Sequence, residues 1–166
     1  MSLEAPRRAS GEGRRMPSLH ASAVLVGPRA VLIRGPAGSG KSSLVLALLR
    51  AAAAGLVPFA RLVADDRVHA VAVHGRLILR APEAIAGLVE VRGLGLFRLP
   101  HEAEAVAGWV VDLAAPDAQR LPEPGQDHAE IDGVVLPRIA APAGHDVLSL
   151  VLAAVAPGMA PARTSS

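Results

Sequence analysis

No cysteine occurs in the 166 residues, which removes disulfides, thiolate catalysis and cysteine-type zinc sites together. Tyrosine is absent as well, and two phenylalanines and one tryptophan are the remaining aromatic side chains. A single-strand nucleic-acid surface would have almost nothing on which to stack bases, and the core must be built from Ala, Val, Leu and Ile. No apolar run approaches the roughly 18 residues that a bilayer-spanning helix needs, and the opening stretch MSLEAPRRASGEGRRMPS has no apolar segment of the kind found in secretory signals. A cytoplasmic protein without a membrane partner is therefore expected. Charge is also scarce. The formal net charge is +2, and Arg7, Arg8, Arg14 and Arg15 against Glu4 and Glu12 supply all of it, so the rest of the chain is near neutral and no nucleic-acid partner is expected.

What is present suits one domain. Residues 1–17 and 157–166 read as tails, leaving 18–156 as the folded unit. "ASAVLV" and "AVLIR" read as two strands joined at Gly27 and Pro28. "KSSLVLALLRAAAA" is helix-forming throughout and ends at Gly55. "RVHAVAVHGRLILRAP" alternates around His74 and Gly75 as a hairpin does. "APEAIAGL" opens a short helical stretch at Pro82, and "AGWVVDLA" and "IDGVVLPRIAAP" read as strands separated by the loop "PDAQRLPEPGQDH". Residues 145–156 suggest a closing helix. Many strands with few long helices predict an α/β domain around a mixed sheet.

Between the second strand and the first helix stands Gly35-Pro36-Ala37-Gly38-Ser39-Gly40-Lys41-Ser42, the eight-position phosphate loop in the strand-loop-helix setting the motif requires. Glycines let successive N–H groups turn inward, and the helix N-terminus adds partial positive charge toward an anion. Lys41 is placed to meet the outer phosphates of ATP, and Ser42 to bind Mg2+. Lys41 is also the single lysine of the chain, every other basic residue being arginine.

The motif names a nucleotide and leaves the acceptor open. "LVADD" ends a strand soon after the helix, where such proteins place a carboxylate near the metal. On extended backbone Asp65 and Asp66 point to opposite faces and divide proton transfer from metal or partner contact. "VEVRGLGLFRL" sets Glu90 and Arg92 before Gly93 and Gly95, offering a metal ligand and a phosphate contact, although an ordinary strand with a glycine bulge explains the pattern equally well. His20 and Arg120 taken alone read as surface residues.

Together these pieces resemble the bacterial HPr kinase/phosphorylase family, specifically its C-terminal catalytic domain, through "HASAVLV", "GPAGSGKS", "RLVADDRV", "APEAIAGLVEVRGLGL" and "LPRIAAP" in order. The resemblance covers roughly residues 18–156. It implies a fold similar to the nucleotide-binding part of phosphoenolpyruvate carboxykinase, and an ATP-dependent kinase that phosphorylates a serine of the phosphocarrier HPr and reverses this by phosphorolysis. It makes His20, Lys41, Asp65, Asp66 and Arg120 active-site residues, Ser42 and Glu90 Mg2+ ligands, and one of the two aspartates the base. Alternatives left open are another hydroxyl acceptor and an ATP-sensing module without turnover.

Departures from the family accompany the likeness. With a short stretch before His20, the family's usual N-terminal domain is expected to be absent. "AGHDVLS" follows "LPRIAAP" where the family commonly has a basic Gly-Arg loop. The longer C-terminal region that holds HPr and a neighbouring subunit in the family's hexamer is likewise expected to be lacking, so a homo-oligomer is an open expectation. Such short chains resemble the alphaproteobacterial forms.

Overall fold

A computed structural model describes residues 17–156; apart from Pro17, the expected tails lie outside the described residues. The elements are β1 (Ser18–Leu19), β2 (Ala21–Val26), β3 (Arg29–Arg34), α1 (Lys41–Ala53), β4 (Ala60–Ala64), β5 (Val68–Val73), β6 (Arg76–Arg80), a 3-10 turn (Glu83–Ile85), β7 (Leu88–Val91), β8 (Gly95–Arg98), β9 (Ala105–Leu113), β10 (His128–Ile131), β11 (Val134–Ala141) and α2 (Val147–Val155). The main sheet runs β1-β5-β6-β9-β3-β2-β4, with β11 also paired to β9 and β10 to β11. The β3–β9 and β9–β11 pairs are parallel and the others antiparallel, so the sheet is mixed as expected.

Local chemistry explains most boundaries. His74 and Gly75 both take positive φ, 49° and 75°, which is the two-residue turn whose twist suits a hairpin between β5 and β6. Helix α1 ends where Gly55 adopts φ 75° and the backbone N–H of Ala54 finds Arg50 O, the left-handed stop that glycine makes inexpensive. Asp146 caps α2: its carboxylate accepts from the Ser149 backbone N–H at 3.3 Å and from the Ser149 hydroxyl. "AGHDVLS" therefore performs a helix-capping task here.

The sheet buries apolar residues on both faces, in two clusters. Along β3, Ala30 and Leu32 join one cluster while Val31 and Ile33 join the other, as the two-residue period of a strand demands. The second cluster lies under the helices, with Leu44, Val45 and Leu48 of α1 and Val151 of α2. Among the described residues every buried hydrophobic one is Ala, Val, Leu or Ile, in keeping with the scarcity of rings.

Two segments differ from the sequence expectation. "VEVRGLGLFRL" forms neither one bulged strand nor part of the main sheet: β7 and β8 make a separate antiparallel hairpin. Its two strands are joined by a three-residue turn, for which Gly93 supplies a positive φ and Gly95, at the start of β8, another. The loop before β11 ends early, because His128–Ile131 pairs back on β11 across a turn at Asp132 and Gly133. Asp132 tolerates φ 51° there because its carboxylate is held by the Ala72 N–H at 2.8 Å.

Candidate active site

The phosphate loop leaves the C-terminal end of β3 and enters α1 directly. Gly35 packs so closely on the end of β9 that a Cβ at this position would stand 2.5 Å from Ser39 Oγ and 3.0 Å from Leu113 Cβ. Gly38 and Gly40 hold φ of 78° and 98°, with Gly40 as the residue before the helix. Lys41 is buried and donates from Nζ to the carbonyls of Gly35 at 2.8 Å and Pro36 at 3.0 Å. The loop thus bends round its own lysine.

A cavity of about 390 Å³ opens over the loop, lined among others by His20, Lys41, Ser42, Asp66, Glu90 and Arg92. The β7–β8 hairpin closes one side, bringing Glu90 and Arg92 to a loop about fifty residues earlier in the chain. Arg92 Nη2 lies 3.8 Å from where a Gly38 Cβ would be. Arg120 is exposed in the segment after β9 and does not line this cavity.

The two aspartates occupy different environments. Strand β4 stops at Ala64, and Asp66, at φ 66°, is off the extended backbone that the sequence suggested for the pair. Asp65 is buried behind the loop, where Oδ1 accepts from Ser22 Oγ at 2.6 Å and the carboxylate accepts from Ser42 Oγ at 2.9 Å. Asp66 takes φ 66° at the centre of a three-residue turn closed by Arg67 N–H to the Asp65 carbonyl at 2.8 Å. A non-glycine residue held there costs on the order of 1–3 kcal/mol and has to be secured by its surroundings. Its carbonyl accepts from Ala21 N at 3.2 Å, and its largely exposed carboxylate lies 3.1 Å from His20 Nε2.

Sequence reasoning missed Ser22, although a signal existed: it is the one polar residue on the β2 face that carries Val24 and Val26 to the helices. It also missed an ion-pair chain beside the loop. Arg34, immediately before Gly35, makes two 2.7 Å bonds to Asp112 on β9. Arg138 on β11 bonds Asp112 at 2.6 Å and Asp117 at 2.7 and 2.9 Å, and also reaches the Gln126 carbonyl at 3.1 Å. Both ends of the segment carrying Arg120 are thereby tied to the strand behind the phosphate loop.

Burial alone would push the Asp112 carboxyl up, but the hydrogen bonds and charges of Arg34 and Arg138 outweigh it and leave it below the usual carboxylate range. The hydrogen bonds that the Arg138 guanidinium donates to Asp117 and to Asp112 likewise hold it above its ordinary value despite some desolvation. A group with a depressed folded pKa contributes stability above its unfolded pKa and loses it as pH falls through the folded one. Replacing Asp112 with alanine is expected to cost about 3 kcal/mol, because Arg34 loses the carboxylate that holds it and Arg138 is left with Asp117 and the Gln126 carbonyl, and to flatten the acid limb of the stability curve. Urea denaturation between pH 7 and pH 3 checks both, and an unchanged acid limb would disprove the assignment.

The donors fit a nucleotide with a hard divalent cation. Ser39 Oγ is buried without a partner, an orphan of the kind that a bound polar group satisfies. The Ser42 hydroxyl and the carboxylates of Asp65 and Glu90 are oxygen donors of the type Mg2+ prefers.

The sequence matches the family model described as the HPr serine kinase C-terminal domain over residues 14–102. The chain belongs to this family. Two HPr kinase/phosphorylases are similar to it: that of Clostridium tetani is 39% identical over 82 residues, covering 49% of this chain and 25% of the relative. That of Clostridium beijerinckii is 40% identical over 78 residues, covering 47% and 24%. The matched region spans about a quarter of those relatives' length. The HPr(Ser) kinase/phosphatase of Coxiella burnetii superposes with a TM-score of 0.65 at 24% identity, covering 82% of this chain and 91% of the other, which places the chain in the phosphate-loop kinase fold. The HPr kinase family match ends at residue 102, so it includes the loop, both aspartates, Glu90 and Arg92 but not Arg120.

Proposed function

We propose that this chain is the catalytic domain of a cytoplasmic, ATP-dependent serine kinase acting on HPr or an HPr-like phosphocarrier, which also runs the reverse phosphorolysis. The observation that carries the reading is the division between the two adjacent acids. Asp65 is buried on the phosphate-loop hydroxyl, and Asp66 is exposed at the cavity with a histidine on its carboxylate. A nucleotide-binding module without turnover has no use for the second.

A serine hydroxyl is a weak nucleophile, so positioning and charge stabilisation have to supply most of the acceleration. Asp66 accepts the serine proton as the oxygen bonds to phosphorus and the bond to the nucleoside diphosphate breaks. His20, in the tautomer protonated at Nε2, orients that carboxylate. Lys41, Arg92 and backbone N–H groups of the loop, to which Pro36 contributes none, stabilise charge on the moving phosphoryl group, and Arg120 is the further cation of this proposal. Ser42, Asp65 and Glu90 would hold Mg2+, which when bound neutralises phosphate charge. In reverse, an oxygen of inorganic phosphate bonds to the phosphoserine phosphorus, the bond from phosphorus to the serine oxygen breaks so that pyrophosphate forms, and Asp66 returns the proton to the serine oxygen.

The test is mass spectrometry of HPr after incubation with the purified chain and Mg-ATP. One phosphate is expected on serine, and none on HPr whose target serine is alanine. Phospho-HPr given inorganic phosphate without ATP should lose the group and release pyrophosphate. No transfer despite measurable ATP binding would overturn the reading in favour of another hydroxyl acceptor or a nucleotide sensor.

A further inference from the structure

The main sheet has a gap at the opposite end of β3. In the strand order β6-β9-β3, β3 takes one edge of β9. The other edge is shared: β6 reaches it at Ala105 and Val106, and β11 at Val110–Leu113. Ala107–Trp109 between them faces no strand on that edge. A cavity of about 430 Å³ lies there, lined by Arg29, Arg76, Leu77, Trp109 and Val135 among others.

Three features make the gap polar on purpose. The β3–β9 register slips so that Ala30 pairs with Ala107 and Val31 with Trp109, which makes Gly108 the extra residue of a bulge. A Cβ at Gly108 would stand 2.6 Å from Arg29 Cβ and 3.1 Å from its Cγ, so the Arg29 side chain passes across the strand at the point where β9 lacks a side chain. Among the described residues neither the Arg29 nor the Arg76 side chain has an ion pair or hydrogen bond. Asp132, in the turn before β11, has its carboxylate on the Ala72 N–H. The gap therefore presents two uncompensated guanidinium groups beside an indole and aliphatic side chains.

The geometry points to a second anion site, for a small organic phosphate with an apolar or planar body, held by Arg29 and Arg76 with its body against Trp109. Guanidinium forks suit phosphate oxygens, and the apolar wall disfavours a bare, strongly hydrated ion. The site is separate from the phosphate loop. Arg29 opens β3 and Arg34 closes it, so at roughly 3.3 Å per residue the two ends stand about 17 Å apart.

Trp109 is the single tryptophan of the chain and lines this gap, so its fluorescence is the probe, and the Lys41→Ala control separates a signal relayed from the phosphate loop through the core cluster on which the indole also packs. Titration of the full chain with phenyl phosphate should give a saturable change. The affinity should fall at least tenfold in Arg29→Gln and in Arg76→Gln, and stay within twofold of the parent in Lys41→Ala. Phenol should give no saturable change at the same concentrations. A flat titration, an affinity equal to the parent's in either arginine variant that folds, or loss in Lys41→Ala would overturn the proposal, the last by placing the probe on the phosphate loop. Both arginines are exposed at strand ends; should Arg29→Gln fail to give the parent's circular dichroism, Arg76→Gln decides alone.

Discussion

Asp66→Asn is expected to lower phosphoryl transfer to HPr by about 10²–10⁴-fold, the span over which a positioned general base contributes, with ATP affinity within twofold of the parent. The asparagine keeps the shape at a residue whose φ of 66° asparagine tolerates well, so folding is not the variable. His20 then faces an amide in place of a carboxylate, and the proton acceptor is gone. The contrast with Asp65→Asn gives the test its power. Asp65 accepts from two hydroxyls, Ser22 and Ser42. An amide there must turn its NH2 toward one of them, which should raise the Mg2+ requirement and lower the melting temperature. Single-turnover transfer alongside equilibrium ATP binding separates the two cases. Full transfer in Asp66→Asn would remove it as the base, and equal defects of the same kind in both variants would dissolve the proposed division.

Lys41→Ala should reduce transfer by at least about 10²-fold, since loss of one preorganised donor at developing charge costs about 10²–10³. Two consequences combine. The ammonium that would meet the phosphates is lost, and the Gly35 and Pro36 carbonyls lose the donor that bends the loop around it. ATP affinity should fall as well, which distinguishes this variant from Asp66→Asn. Lys41→Arg should not rescue. The buried side chain sits within hydrogen-bond reach of two carbonyls, and a planar fork cannot replace a compact point charge there. Unchanged turnover in Lys41→Ala, measured by the same phosphate-gain assay, would take the phosphate loop out of the mechanism.

The phosphate loop, its strand and its helix were legible because their signals are local: glycines at positions of positive φ, a lysine and serine at the helix entry, and apolar residues at strand and helix spacing. The aliphatic core followed from composition, since a chain with two phenylalanines and no tyrosine has little else to bury. The hairpin at His74 and Gly75 was readable for the same reason, a two-residue turn being chemistry of neighbours.

What neighbours do not determine was settled by packing. Residues 65 and 66 are the same amino acid, and only the fold separates them: β2 brings Ser22 and His20 from more than forty residues away, one hydroxyl into the interior and one ring to the surface. The β7–β8 hairpin stands apart from the main sheet, and its turn toward the phosphate loop is a tertiary placement that "VEVRGLGLFRL" alone does not reveal. The chain from Arg34 through Asp112 and Arg138 to Asp117 joins residues up to 78 positions apart. Sequence alone determined that this protein carries a nucleotide loop on an aliphatic α/β scaffold, because the backbone conformations and burial it needs are encoded within a few residues. Tertiary structure decided which acid is dry and which is free, because desolvation and hydrogen-bond partners depend on strands that are distant in the chain and adjacent in the sheet.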